Sequence, residues 1–224
     1  MRILTICFSL LFQTILHAQD GTKVDCRFLS LDTQNEVPKM LVLSGKDAQA
    51  SLTVPTGSIS EKMTCFSLTD TFTFVSAADQ KPIATAKISP NIKAAILVFV
   101  PGPSASDKPT WRIFVVEDSA KNFPDGGAFV ANFHSQDIRF VIGETKLILH
   151  PGATYGVPIP TKRDSFNMAP VAFQFQQDGA WVGASETMLR FLPKTNYLMF
   201  TFMDKSSGRP RVVTFQDSKF AVAE

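Results

Sequence analysis

Apolar and polar residues alternate with a period of two through most of this chain. "TKVDCRF" puts Val24, Cys26 and Phe28 on one side, and "TFTFV" puts Phe72 and Phe74 opposite a row of threonines. "AILVFV" and "WRIFVV" are short apolar runs bounded by Pro or Gly, and "VAFQFQ" and "YLMFTFM" follow the same logic. Alternation of this kind, rich in Phe, Val, Ile and Thr, marks strands with a buried face. No stretch keeps a helical period beyond two turns. "ISEKMTCFSL" and "SETMLRFL" are the two places where a short helical turn fits.

Turn residues divide the runs. Asp178–Gly179 separates two alternating stretches, and Asp-Gly tolerates positive φ at both central positions of a tight hairpin turn. Gly143–Glu144 divides "FVIGETKLIL", with Gly at the first central position of a type II′ turn. This predicts strands over 137–142 and 145–150, with Ile142 facing Thr145, Val141 facing Lys146 and Asp137 facing His150. "MDKSSGRPRVV" reads as a looser hairpin around Ser206–Gly208. The expected fold class is all-β, a mainly antiparallel β-sandwich forming a single domain over 19–224. "PGPSASDKP", 101–109, either divides two domains or joins strands at 94–100 and 110–117. The second reading is preferred, because neither half shows an obvious repeat of the other and about 200 residues suits one all-β domain.

The first eighteen residues, "MRILTICFSLLFQTILHA", have the three parts of a secretory signal: Arg2, an apolar run from Ile3 to Leu16, and Ala18 before the cleavage site. The run is shorter than the roughly 20 apolar residues of a membrane span. The expectation is an exported protein, periplasmic, cell-surface or secreted, with no membrane span after cleavage. A retained anchor is the alternative, since Leu16 is larger than the usual residue at its position. Cys26 and Cys65 remain after cleavage, and an oxidising compartment suggests a disulfide between them. Two buried free thiols are the alternative.

Lys and Arg number 22 against 20 Asp and Glu, a formal charge of +2, and the one basic pair, Lys162–Arg163, is followed at once by Asp164. Nucleic-acid grooves and polybasic membrane surfaces need clustered cations, so neither partner is expected. Neither GxGxxG nor GxxxxGK[ST] occurs, and no cofactor is expected.

Candidate chemistry concentrates in "ANFHSQDIRFVIGETKLILHPG", which holds His134, Ser135, Asp137 and His150. A triad needs serine, imidazole and carboxylate in a hydrogen-bonded series. GxSxG is absent, since "VGASETM" has Thr187 where the second Gly belongs, and HExxH is missing too. A metal-dependent hydrolase around His134, Asp137 and His150 is therefore the third reading, and no catalytic or metal residue is assigned. "EDSAKNFPDGG" offers Glu117, Asp118, Asn122 and Asp125 as hard oxygen ligands outside any EF-hand register; a polar turn is the simpler account. Trp111, Trp181, Tyr155 and Tyr197 would make a sugar-stacking platform if exposed together, and carbohydrate recognition is the second reading. "ATYGVPIPTKRDSFNMAP" is the longest segment without a clear strand. Its Tyr155, Lys162, Arg163, Asp164 and Asn167 form the candidate ligand-contact loop, the alternative being a crossover between sheets.

"LVFVPG", "VVEDSAKNFPDGGAFVANFHSQDIRFVIGETKLILHPG", "NMAPVAFQFQ" and "MLRFLP…YLMFTFMDKSSGRPRVVTFQD" resemble exported bacterial β-rich proteins with immunoglobulin-like sandwiches. The resemblance covers a little over half the chain and implies a sandwich fold and an envelope location. It supplies no catalytic residues. The leading functional expectation is an exported non-enzymatic binding or scaffold module of the cell envelope, its partner a protein or an envelope polymer.

Overall fold

The computed structural model describes residues 21–32, 37–44, 47–102, 111–204 and 207–218. The candidate signal, with Ala18, lies outside the described residues. Among the described residues every regular element is a strand, and no helix is long and apolar enough to cross a membrane.

Eight strands precede residue 118: β1 (Thr22–Ser30), β2 (Met40–Ser44), β3 (Asp47–Leu52), β4 (Met63–Ser67), β5 (Thr71–Ser76), β6 (Pro82–Lys87), β7 (Ala94–Pro101) and β8 (Trp111–Glu117). Eight follow it: β9 (Ala128–Asn132), β10 (Ile138–Ile142), β11 (Thr145–Leu149), β12 (Thr154–Val157), β13 (Met168–Gln177), β14 (Ala180–Arg190), β15 (Thr195–Asp204) and β16 (Arg209–Ser218). The first set makes an inner sheet, β4-β1-β7-β8, and an outer sheet, β3-β2-β5-β6. The second makes an inner sheet, β12-β9-β15-β16, and an outer sheet, β11-β10-β13-β14. Adding eight to each strand number converts the first pair of sheets into the second. The parallel pairs correspond as well, β1 with β7 and β9 with β15.

The expected all-β, mainly antiparallel sandwich is thus present, but it is built twice. Its four sheets make two stacked pairs of the same topology, connected through 118–127, and the strands on either side of 101–109 pair with each other, the reading preferred from the sequence. β7 and β8, which flank the latter segment, pair antiparallel from Ala95↔Glu117 to Pro101↔Trp111. The two stretches with room for a helical turn are strands β4 and β14.

Three cores explain the burial pattern. Phe28, Phe72, Phe74 and Phe99 fill the first sandwich, with Phe74 edge-on to Phe99 at 5.6 Å. Phe140, Phe173, Phe175 and Phe191 fill the second. The third lies between the inner sheets, where Leu29, Ile96 and Val98 meet Phe129, Leu198 and Phe200. The inner sheets are therefore covered on both faces. Strands in that position read as continuous apolar runs rather than alternating ones, which is why residues 95–99 and 195–201 are buried without interruption.

Polar groups close the two ends of the third core. At one end the Arg27 guanidinium donates to both oxygens of Asp217 at 2.8 and 2.9 Å and to Asp118 at 2.9 Å, tying β1 to the linker and to β16. At the other, Ser30 ends β1 and Asn132 ends β9. Ser30 Oγ accepts the Asp32 N–H at 3.1 Å; Asn132 Oδ1 accepts the His134 N–H at 2.9 Å, the same bond at the equivalent place in the second half. In the linker, Gly127 lies so close to the Val157 carbonyl that a Cβ would collide with it.

Candidate functional site

Stacking the inner sheets back to back leaves one open broad face on each sandwich, the outer face of each outer sheet. On the first, Met40, Val42, Phe72, Phe74, Ala84 and Ala86 point inward. Alternation then turns Leu41, Leu43, Thr73 and Thr85 outward. Lys87 bonds Asp70 at 3.1 Å at the margin.

The second outer face differs. The predicted hairpin register is present from Ile138↔Leu149 to Ile142↔Thr145, and Gly143 has the positive φ of 58° that its turn position requires. β13 and β14 extend the rows, joined through Asp178 and Gly179, whose φ values of 50° and 79° are both left-handed. A β-bulge at Phe173/Gln174 shifts the register of β14 so that Trp181 and Gly183 face outward, opposite Gln176 and Gln174. One row therefore carries His150, Asp137, Gln176 and Trp181. The next carries Ile148, Arg139, Gln174 and Gly183.

These side chains contact one another across the strands. His150 Nδ1 lies 2.8 Å from Asp137 Oδ1, the predicted pairing at the open end of the hairpin. Arg139 lies over the Trp181 ring, 4.4 Å from its centroid. Such a cation–π contact fixes both groups. No atom lies within 4 Å of where a Gly183 Cβ would be, so open space lies over the face there. Asn132 braces the hairpin base from inside, donating to the carbonyls of Gln136 and Leu149 at 2.9 Å each. Those two residues immediately precede Asp137 and His150.

The candidate contact loop folds across the turn of this hairpin. The Glu144 carboxylate accepts the Thr161 N–H and hydroxyl, both at 2.8 Å. Those bonds hold its carboxyl down at about 2. Gly143, Glu144, Lys146, Lys162 and Pro170 line a shallow depression beside it. Arg163 donates to the Phe191 carbonyl at 2.8 Å, and Asp164 Oδ1 accepts the N–H groups of Phe166 and Met168 at 2.9 and 2.8 Å. Asn167 takes a left-handed φ of 63° and its carbonyl accepts the Phe191 N–H. Arg163, Asp164 and Asn167 thus build the loop, while Lys162 stays at its surface. Tyr155 is on β12, at the edge of the inner sheet, with its ring 6.4 Å from Phe140. The segment that looked strandless contains β12 itself.

The other sequence candidates separate. His134 is buried, its Nδ1 accepts the Gln136 N–H at 3.1 Å, and its ring meets Phe175 edge-on at 5.2 Å. It does not join the exposed His150–Asp137 pair, and no group of three or more His, Cys, Asp and Glu among the described residues is placed to hold a metal ion. In the linker, Asp118 serves Arg27, Asn122 donates to the Glu117 carbonyl at 2.9 Å, and Asp125 accepts the Lys194 N–H at 2.8 Å. The four-ring platform does not assemble. Trp111 is in the first core, and Tyr197 lines the second, donating to the Arg190 carbonyl at 2.9 Å while burial raises its phenol.

Cys26 and Cys65 are both buried free thiols with their sulfurs near each other, the alternative to the expected disulfide. Cys26 stands opposite Met63 and Cys65 opposite Val24, so the cysteines are diagonal neighbours. Contact with the Cys65 sulfur, and then burial, push the Cys26 thiol well up.

Arg139, Gln174, Gln176 and Gly183 were not among the sequence candidates. Arg139 was within reach, because the hairpin register already placed it on the face of Asp137 and His150. The other three needed the pairing of β13 with β10, a tertiary contact with no local signature. No family model matches this chain, and no curated protein is found similar to it.

Proposed function

We propose that this chain is an exported, non-enzymatic binding module of the cell envelope, and that the outer face of β11-β10-β13-β14 is its contact surface. The observation that carries this is the contrast between two topologically equivalent faces. The described outward side chains of one include Leu41, Leu43, Thr73 and Thr85, with the Lys87–Asp70 pair at its margin. The other gathers an ion pair, a cation–π pair and an open glycine on adjacent rows. Shared topology accounts for what the halves have in common, so the difference points to recognition rather than folding. The signal-like first eighteen residues support export.

A photoreactive side chain at position 183, and separately at position 85 on the other outer face, tests the surface. Irradiation with envelope extract should give adducts from position 183 and none from 85. Equal labelling, or no adduct from 183, contradicts the proposal. Export is read from the amino terminus of the product made in a bacterial host, which should begin at Gln19.

A further inference from the structure

We infer that this face binds a neutral, hydroxyl-rich polysaccharide, with Arg139, Gln174 and Gln176 directed at its hydroxyl groups and Trp181 against its sugar rings. The inference rests on the contact surface proposed above and adds the chemistry of the ligand.

The outward positions mix polar and apolar groups: Val141 and Ala172 stand beside Arg139 and Gln174 on the central strands, and Ile148 and Met188 stand on the outer ones. Ile148, on β11, is 48% exposed, and Met188, on β14, is 46% exposed. Charges of both signs are interspersed as well: Arg139, Lys146 and Arg190 share the face with Asp137 and Glu186. A surface with no run of one sign does not select a polyanion or a polycation.

A sugar hydroxyl both donates and accepts, and the two rows supply both functions. Arg139 offers a fork of donors, Asp137 accepts, and each glutamine amide does both. The side chains of Gln174 and Gln176 form no hydrogen bond with a described residue, so this capacity is open to a ligand. Arg139 holds the Trp181 ring in place from one side, which lowers the ordering cost of stacking. The open space over Gly183 leaves room for a ring beside it. Neighbouring strands lie about 4.8 Å apart, so the row from Ile148 to Gly183 spans roughly 14 Å, more than one sugar unit.

Native affinity electrophoresis of the full chain, in gels containing galactomannan, xyloglucan, mixed-linkage β-glucan or dextran, tests this. At least one polysaccharide should retard migration. Trp181→Ala should weaken that retardation roughly tenfold, and Thr85→Ala, on the other outer face, should leave it unchanged. Should Trp181→Ala fail to fold, Gln176→Ala, an exposed side chain without a bond to lose, gives the same reading. Free migration in all four gels, or retardation indifferent to Trp181 and Gln176, overturns the inference. Free migration together with protein adducts from position 183 overturns the glycan alone and keeps the contact surface. Free migration without adducts removes both.

Discussion

Ser30 ends the first strand of one sandwich, and Asn132 ends the first strand of the other. Both are buried, and both cap the chain with a bond to the N–H two residues on, at 3.1 and 2.9 Å. Asn132 does more. It also accepts the Thr201 hydroxyl at 3.0 Å and donates to two carbonyls at the base of the β10–β11 hairpin. The longer side chain thus turns a simple cap into a brace under the face that carries Asp137, His150 and Arg139. Wherever the halves agree, the requirement is one of folding; wherever they part, as here and on the outer faces, the second half has gained order around one surface.

The comparison presumes that the halves stand on a common core, and breaking that core should have the largest effect. Phe200 is fully buried between the inner sheets, stacked on Phe133 at 5.7 Å and 6.4 Å from Phe129. Phe200→Ala should cost about 3–5 kcal/mol. Chemical denaturation should still show one transition; two separate ones would mean that the halves fold independently. Arg27→Ala leaves Asp118 and Asp217 without their shared cation and should cost about 3 kcal/mol by the same measurement. A loss below about 1 kcal/mol would place the clamp with ordinary surface pairs.

Asn132→Ala and Ser30→Ala sharpen the contrast directly. The asparagine loses four hydrogen bonds, three of them buried, and the serine one, so losses of about 2–3 and about 1 kcal/mol are expected, respectively. Equal losses would remove the distinction between brace and cap.

Smaller effects concern the rim of the face. Glu144 has a folded-state carboxyl depressed to about 2 from an ordinary 4.5. A depressed acid contributes fully above its unfolded value and loses that contribution as pH falls through the folded one. Amide exchange at Thr161 should therefore accelerate as pH drops from about 4.5 towards 2, after correction for intrinsic rates. Glu144→Gln should flatten the profile, and an unchanged profile would count against the latch. Smallest of all, His150→Ala removes an exposed pair whose histidine is 76% accessible, and a loss under about 1 kcal/mol is expected on thermal unfolding.

The strands were legible because alternation survives wherever one face meets solvent. Phe72 and Phe74 among their threonines, and the 137–150 hairpin with its Gly143 turn, follow from local pattern alone. The duplication was not legible. It is conserved in which face each position serves, not in residue identity: Ile96 and Val98 correspond to Leu198 and Phe200. The uninterrupted burial of β7 and β15 was visible as apolar runs, but a run buried on both sides looks the same whether its second cover is a loop or another sheet. The candidate site was half visible for a related reason. Asp137, His150 and Arg139 are fixed by one hairpin, whereas Trp181, Gln174 and Gly183 join them through a second hairpin and a bulge. His134 stayed open in the sequence because a buried imidazole bonded within its own turn and a catalytic base share one letter.

Hydrogen–deuterium exchange along the full chain, with and without the polysaccharide that retards it most, tests the central claim most directly. The account predicts added protection in β10, β13 and β14, and none in β2, β5 and β6. Equal protection of both outer sheets, or no protection in either, would contradict it.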